Sequence, residues 1–281
     1  AAPFGLNLTG ENTFYFGAVS GDNSSDAIFL FDSTKWNGTP PTGYKALTQD
    51  NMDDTADKIT AWSWIKNRDS TDAHMWVDRV RGPSLTIHPN GAAEAEATEV
   101  NTVQRFLQRG VQVGNDVQVN TDNESYVLWQ WLVGTSGGSG TTTSPAGSTA
   151  STSLVADHGG FSIVSYTGTG GNTTVGHGLS YAPEMIIWRA RGSANYATVW
   201  HNSYSVDNTM YTNTTAAPSA QGSIFMQSTA PSSSVVYLGS QGGQNASSVE
   251  HIMYCFASVP GVMKVGQYTG NANANGPFVH L

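Results

Sequence analysis

Eight tryptophans stand in this 281-residue sequence, and on a β surface an indole ring can either fill a core or stack against a sugar ring. Spacing sorts them. Trp62 and Trp64, and again Trp129 and Trp131, lie two apart, so each pair projects from one face of a strand. A later stretch has Tyr254 and Phe256 where this one has Trp129 and Trp131; such interchange suits core positions, where each ring buries roughly 150–250 Å². Trp36, in the loop-like Lys35-Trp36-Asn37-Gly38, together with Trp188 and Trp200, are the candidates for exposed ligand contact, and the ligand such rings suit is a glycan.

Acid groups come next. Glu94, Glu96 and Glu99 crowd one short segment, and glycan hydrolysis uses two carboxylates flanking the scissile bond. The segment is Ala-rich and polar, however, and its counterpart Ala217-Pro218-Ser219-Ala220 has no acid, so a solvated loop is expected. Asn115, Asp116, Asn120, Asp122, Asn123 and Glu124 gather oxygen atoms of the kind Ca²⁺ binds. Their spacing is not that of an EF-hand loop, and turn chemistry is the expectation.

The seven histidines show no metal-ligand spacing, and His177, between Gly176 and Gly178, reads as a turn residue. No nucleophile elbow, phosphate-binding loop with its Lys, or zinc signature occurs. No catalytic residue, no metal site and no cofactor is therefore expected. Arg68 and Arg191 each follow a strand at matching places, which suggests a repeated salt bridge or backbone contact.

The elements that would position these residues are strands. Thr13-Phe14-Tyr15-Phe16, Ala27-Ile28-Phe29-Leu30-Phe31, the SYVLWQW run of residues 125–131 and Met185-Ile186-Ile187-Trp188 are each bounded by Gly, Asn, Asp, Ser or Pro. The best helical window, residues 100–107, is short and poorly amphipathic, so little helix is expected. A net charge of −9 without a basic stripe excludes nucleic acid as a partner. No run approaches the ~18 apolar residues of a membrane-spanning helix, so no membrane insertion is expected. The single cysteine, Cys255, sits in an apolar run and is expected to pack as a small hydrophobe.

A repeat governs the organisation. Arg191 follows Arg68 by 123 positions, Ala216 follows Ala92 by 124, Gly239 follows Gly114 by 125 and Phe256 follows Trp131 by 125. Two single-residue insertions account for the drift. Asn120 and Asn245 close the two stretches in the same way. A third echo sets Tyr268-Thr269-Gly270 beside Tyr166-Thr167-Gly168.

Several blocks resemble a family of repeated domains of unknown function, abundant in structural proteins of marine bacteriophages. They are Trp64-Ile65-Lys66-Asn67-Arg68, residues 125–131, residues 160–168, Val175-Gly176-His177-Gly178-Leu179, Ala182-Pro183 and residues 254–261. Residues 1–47 look like the end of a SPRY-type β-sandwich.

The resemblance implies an all-β fold of tandem lectin-like (concanavalin-like, jelly-roll) β-sandwich repeats with little helix. The expected divisions are a partial SPRY-like end at 1–47, a first repeat at 48–133, a Gly/Ser/Thr-rich connection at 134–159 and a second repeat at 160–262. Residues 263–281 are then the start of a further unit or a closing strand.

It also implies a non-enzymatic place on the virion surface, in a tail fibre or capsid-surface fibre. The expected partners are further copies of the chain as a homo-oligomer, commonly a trimer, other virion proteins and a host surface glycan. The alternatives are a secreted sandwich-fold carbohydrate-active enzyme or depolymerase, and a cellular adhesin module.

Overall fold

The structure, a computed structural model, describes residues 15–16, 29–30, 58–91, 95–134, 141–192 and 197–279. Two compact units divide the chain, Ala1–Asp54 and Thr55–Leu281. In the first, β1 (Tyr15–Phe16) and β2 (Phe29–Leu30) pair antiparallel. The other residues of 1–47, expected from sequence to end a SPRY-like sandwich and including Trp36, lie outside the described residues.

In the second unit, β-branched and aromatic runs become strands between turn-forming residues. Its first half runs β3 (Thr60–Asn67), β4 (Met75–Asp78), β5 (Leu85–Thr86), β6 (Ala97–Thr98), β7 (Val103–Leu107) and β8 (Gly110–Val113). The one-turn helix α1 (Val117–Asn120) and β9 (Tyr126–Leu132) complete it. The best helical window of the sequence is thus largely strand β7, which buries Val103, Phe106 and Leu107.

The Gly/Ser/Thr-rich connection also carries strands, β10 (Thr142–Ser144) and β11 (Ser151–Val155). Leu154 and Ala156 reach a core from it, so this part is tied down by its few apolar side chains.

The second half runs β12 (Phe161–Thr167), β13 (Thr173–Gly176), β14 (Met185–Ala190), β15 (Thr198–His201), β16 (Asn208–Tyr211) and β17 (Ser219–Ala220). A 3₁₀ turn at Gly222–Ile224 leads to β18 (Val235–Leu238), α2 (Gly242–Asn245) and β19 (Glu250–Phe256). The unit is all-β, its described helices being single turns. After the bridge between Val259 and Met263 the described residues form no strand.

Strands β10-β11-β12-β19-β14-β15-β16-β17 make one sheet of eight, and β4-β3-β9 a sheet of three. Their registers match residue for residue. Trp64 faces Trp129 and Trp76, as Ile187 faces Tyr254 and Val199. Trp76 bridges Ile87, as Val199 pairs Met210.

A carbonyl clamp recurs as well: Asn120 Nδ2 donates to the Gly114 carbonyl at 2.9 Å, and Asn245 Nδ2 to that of Gly239 at 2.6 Å. A Cβ at Gly114 would lie 2.2 Å from the Asn101 carbonyl oxygen, and one at Gly239 2.3 Å from that of Ile224. Neither place admits a side chain.

Three cores separate the layers. Between the sheets of three and eight lie Trp62, Trp64, Trp76, Ile87 and Trp131 against Met185, Ile187, Val199, Met210 and Phe256. Each residue of the first group has its register-matched counterpart in the second, so the two halves meet through the same faces. Trp62 stacks on Tyr254 with centroids 4.3 Å apart and on Trp131 at 4.2 Å.

On the far side of the large sheet, Trp188, Trp200, Met253 and Cys255 pack against Val236, Leu238, Phe225 and Met226. On the far side of the small sheet, Ile65, Met75 and Val77 pack against Val103 and Phe106. Such alternation of inward faces is what strand periodicity dictates.

Candidate functional site

Where β14 begins and β15 and β19 end, loops from four places surround a surface groove of about 410 Å³. Tyr181, Ala182, Pro183 and Glu184 lead into β14, Asn202 follows β15, Ser258 follows β19, and Ala230 and Pro231 close the side. Tyr181 is half exposed. The strand ends fix these groups: the Glu184 N–H donates to the Phe256 carbonyl at 2.7 Å and the Asn202 N–H to the Glu184 carbonyl at 2.8 Å.

Glu184 is oriented from two sides. Its Oε2 accepts the Ser258 N–H at 2.7 Å and its Oε1 the Asn202 Nδ2 at 3.4 Å. The groove therefore offers an exposed ring, two prolines and one positioned carboxylate–amide pair. An apolar face beside a few fixed polar groups is the chemistry that holds a sugar ring.

The tryptophans named from sequence do not form this site in the expected way. Trp188 and Trp200 are 0% and 4% exposed, which corrects their reading as exposed contacts. Both lie on strand faces that β18 and the segment after the 3₁₀ turn cover, and burial of two indoles there stabilises the layer. Trp200 alone reaches the groove wall. Trp36 lies outside the described residues.

Tyr181 was missed, because a single aromatic in a turn has no period to flag it. Of the paired tryptophans, Trp62 is fully buried and Trp64 and Trp131 pack on the core, whereas Trp129 is 46% exposed at the sheet edge.

The carboxylate segment is not a solvated loop at Glu96 and Glu99. Arg191 holds Glu96 with Nη2 to Oε1 at 2.8 Å and Nε to Oε2 at 3.0 Å, and Arg81 Nη1 adds a bond to Oε2 at 3.0 Å. Burial pushes the Glu96 carboxyl up, but the bonds from Arg191 and the charge of Arg81 outweigh it and hold it below the usual 4.5. Glu99 accepts from the Thr86 hydroxyl and lies 3.4 Å from His88. Glu94 lies outside the described residues.

Arg81 is fully buried, with Asp78, the Trp76 carbonyl and the Leu85 carbonyl as further acceptors. The hydroxyl of Tyr254 donates to Asp78 Oδ2 at 2.7 Å. Asp78, Arg81, Glu96, Arg191 and Glu250 thus form one ionic chain across both halves. The expected backbone contact recurs too, from Arg68 N–H to Ser125 O and from Arg191 N–H to Glu250 O, each at 2.8 Å.

The oxygen-rich stretch does turn work. Asp116 caps α1 by accepting the Gln118 N–H at 2.9 Å, Asn123 adopts φ 62°, and Glu124 accepts from Asn67. Among the described residues no three His, Cys, Asp or Glu side chains converge on a point. His177 is fully buried: its Nδ1 accepts the Leu179 N–H at 3.1 Å, so its Nε2 carries the proton and donates to the Ser232 carbonyl. Gly178 beside it has φ +74°. Cys255 is buried, and burial pushes its thiol up.

Among known proteins, a family model described as Domain of unknown function (DUF7483) matches residues 44–281. No curated protein and no solved structure matches the chain.

Proposed function

Since the chain belongs to this DUF7483 family, whose function is open, we propose that it is a non-enzymatic structural protein on the surface of a bacteriophage particle. In this reading two diverged copies of a lectin-like sandwich unit form a tail fibre or capsid-surface fibre. Its copies associate with one another, and the Tyr181 groove meets a glycan of the host surface.

The observation that carries the reading is the ionic chain from Asp78 to Glu250. It commits the buried Asp78 and the largely buried Glu96 to ion pairs with Arg81 and Arg191. The groove itself holds the single acid Glu184, where a glycosidase uses two. The matched registers support descent of both halves from one unit, and the resemblance of residues 125–131, 160–168 and 254–261 supports the particle setting.

Screening the full chain against immobilised bacterial glycans tests this. The expected result is binding without released sugar, weakened tenfold or more by Tyr181→Ala and by Asn202→Ala. Cleavage of a bound glycan, or binding that both variants leave intact, would overturn the assignment of the groove. Labelling of intact particles with an antibody to the chain tests the setting, and particles that stay unlabelled would contradict it.

A further inference from the structure

Strand β9 pairs with β3 on one side, and among the described residues its other edge has no partner strand. Its register-matched counterpart β19 is paired on both sides, by β14 and by β12. The consequence is visible in burial: Met253 and Tyr254 are 0% exposed, whereas their counterparts Leu128 and Trp129 are 42% and 46% exposed. What β9 lacks is a β12.

A segment with the β12 pattern occurs elsewhere in the chain. β12 places Phe161, Ile163 and Tyr166 ahead of Thr167-Gly168, and Met263, Val265 and Tyr268 stand at the same spacing ahead of Thr269-Gly270. In β12 the tyrosine is buried; Tyr268 is 68% exposed, and residues 266–270 form no backbone pairing among the described residues. An apolar strand edge and a strand-forming segment paired only at its first residue are mutual liabilities in one chain, and each is relieved by the other.

We propose that residues 263–270 of one copy add to the free edge of β9 in a second copy, antiparallel, in the register that β12 adopts on β19. Carried across, the pairs Phe161–Phe256, Ile163–Tyr254, Val164–Met253 and Tyr166–His251 place Met263 beside Trp131, Val265 beside Trp129, Gly266 beside Leu128 and Tyr268 beside Tyr126. Within their own chain Met263 pairs its backbone with Val259, Met263 and Val265 lean on the central core, and the Val265 N–H donates to the Ser258 hydroxyl. The exchange therefore trades a partial packing for a full ladder. With one donor and one acceptor edge per copy, the contact closes as a reciprocal exchange between two copies or runs head to tail through more. This deepens the assembly part of the proposed function by naming its contact, and it does not depend on the glycan groove.

Disulfide trapping tests it, since Cys255 is the single native cysteine and is buried. Opposed residues of an antiparallel pair bring Cβ atoms to about 4.5–5.5 Å, near disulfide reach. Chains bearing Leu128→Cys are mixed with chains bearing Gly266→Cys and oxidised, with Thr269→Cys as the register control. Covalent dimers from the first mixture and not from the control are expected.

Absence of dimers, or an intramolecular disulfide in the L128C/G266C double variant, would overturn the second-copy contact. So would hydrogen exchange on the unmodified chain in which the β9 amides are protected to the same degree at low and high concentration, because the edge is then covered within its own chain or left open. Each of these results leaves glycan binding and particle labelling standing, so the two proposals fail separately.

Discussion

Tyr254 lies flat against Trp62, with centroids 4.3 Å apart and rings 17° from parallel, and its hydroxyl donates to Asp78 at 2.7 Å. One side chain from the second half thus joins the aromatic core and the ionic chain of the first. Tyr254→Phe keeps the stack and deletes the bond, leaving a buried carboxylate one donor short. A loss of about 1–3 kcal/mol is expected, read as a lower urea midpoint at unchanged slope.

Glu96 is the hinge of the ionic chain, because among the described residues it alone pairs with both Arg81 and Arg191. Glu96→Gln leaves the buried Arg81 with Asp78 as its remaining acid. A destabilisation of about 2–4 kcal/mol is expected, because removing one member leaves buried charge uncompensated. Calorimetry checks it, and a shift below 1 °C in Tm would contradict the assignment.

Four histidines, His74, His158, His177 and His251, are held below their ordinary pKa of 6.5, each chiefly by burial. A depressed folded value means that the unfolded chain takes up protons first as pH falls below 6.5. Stability is therefore full above that pH and is lost progressively beneath it. Below 4.5 a second decline sets in, because Glu96, whose folded value is also depressed, takes up its proton first in the unfolded chain. Denaturation midpoints measured between pH 8 and pH 4 should fall in that order, and His177→Gln, which removes one titrating group, should flatten the first decline.

Gly239→Ala and Gly114→Ala should each destabilise by about 1–3 kcal/mol, since the added carbon meets backbone oxygens that have no rotamer to yield. Gly242→Ala, with open space around its Cβ position, is the control and should cost under 1 kcal/mol.

Much of this was legible in the sequence, and the rest follows a physical divide. Trp62 and Trp64 read as core because the period of two records which face a strand buries. The offsets of 123 and 125 between Arg68 and Arg191, and between Gly114 and Gly239, read as shared registers because turns and clamps need particular residues.

Trp188 and Trp200 misled because period tells that two faces differ, and it does not tell that a second layer covers both. Glu96 looked solvated because its partner Arg191 stands 95 positions away in the chain. Trp129 shows the same limit from the other side: its direction was readable, but whether its strand is an edge depends on pairing that no local pattern encodes.

A single cooperative body, its two halves joined through equivalent faces, underlies each of these expectations. Hydrogen exchange in increasing urea on the full chain tests it directly, by following amides of β3 and β9 beside those of β14 and β19. One shared transition is expected for all four strands. Loss of protection in β3 and β9 at a urea concentration where β14 and β19 stay fully protected would contradict it.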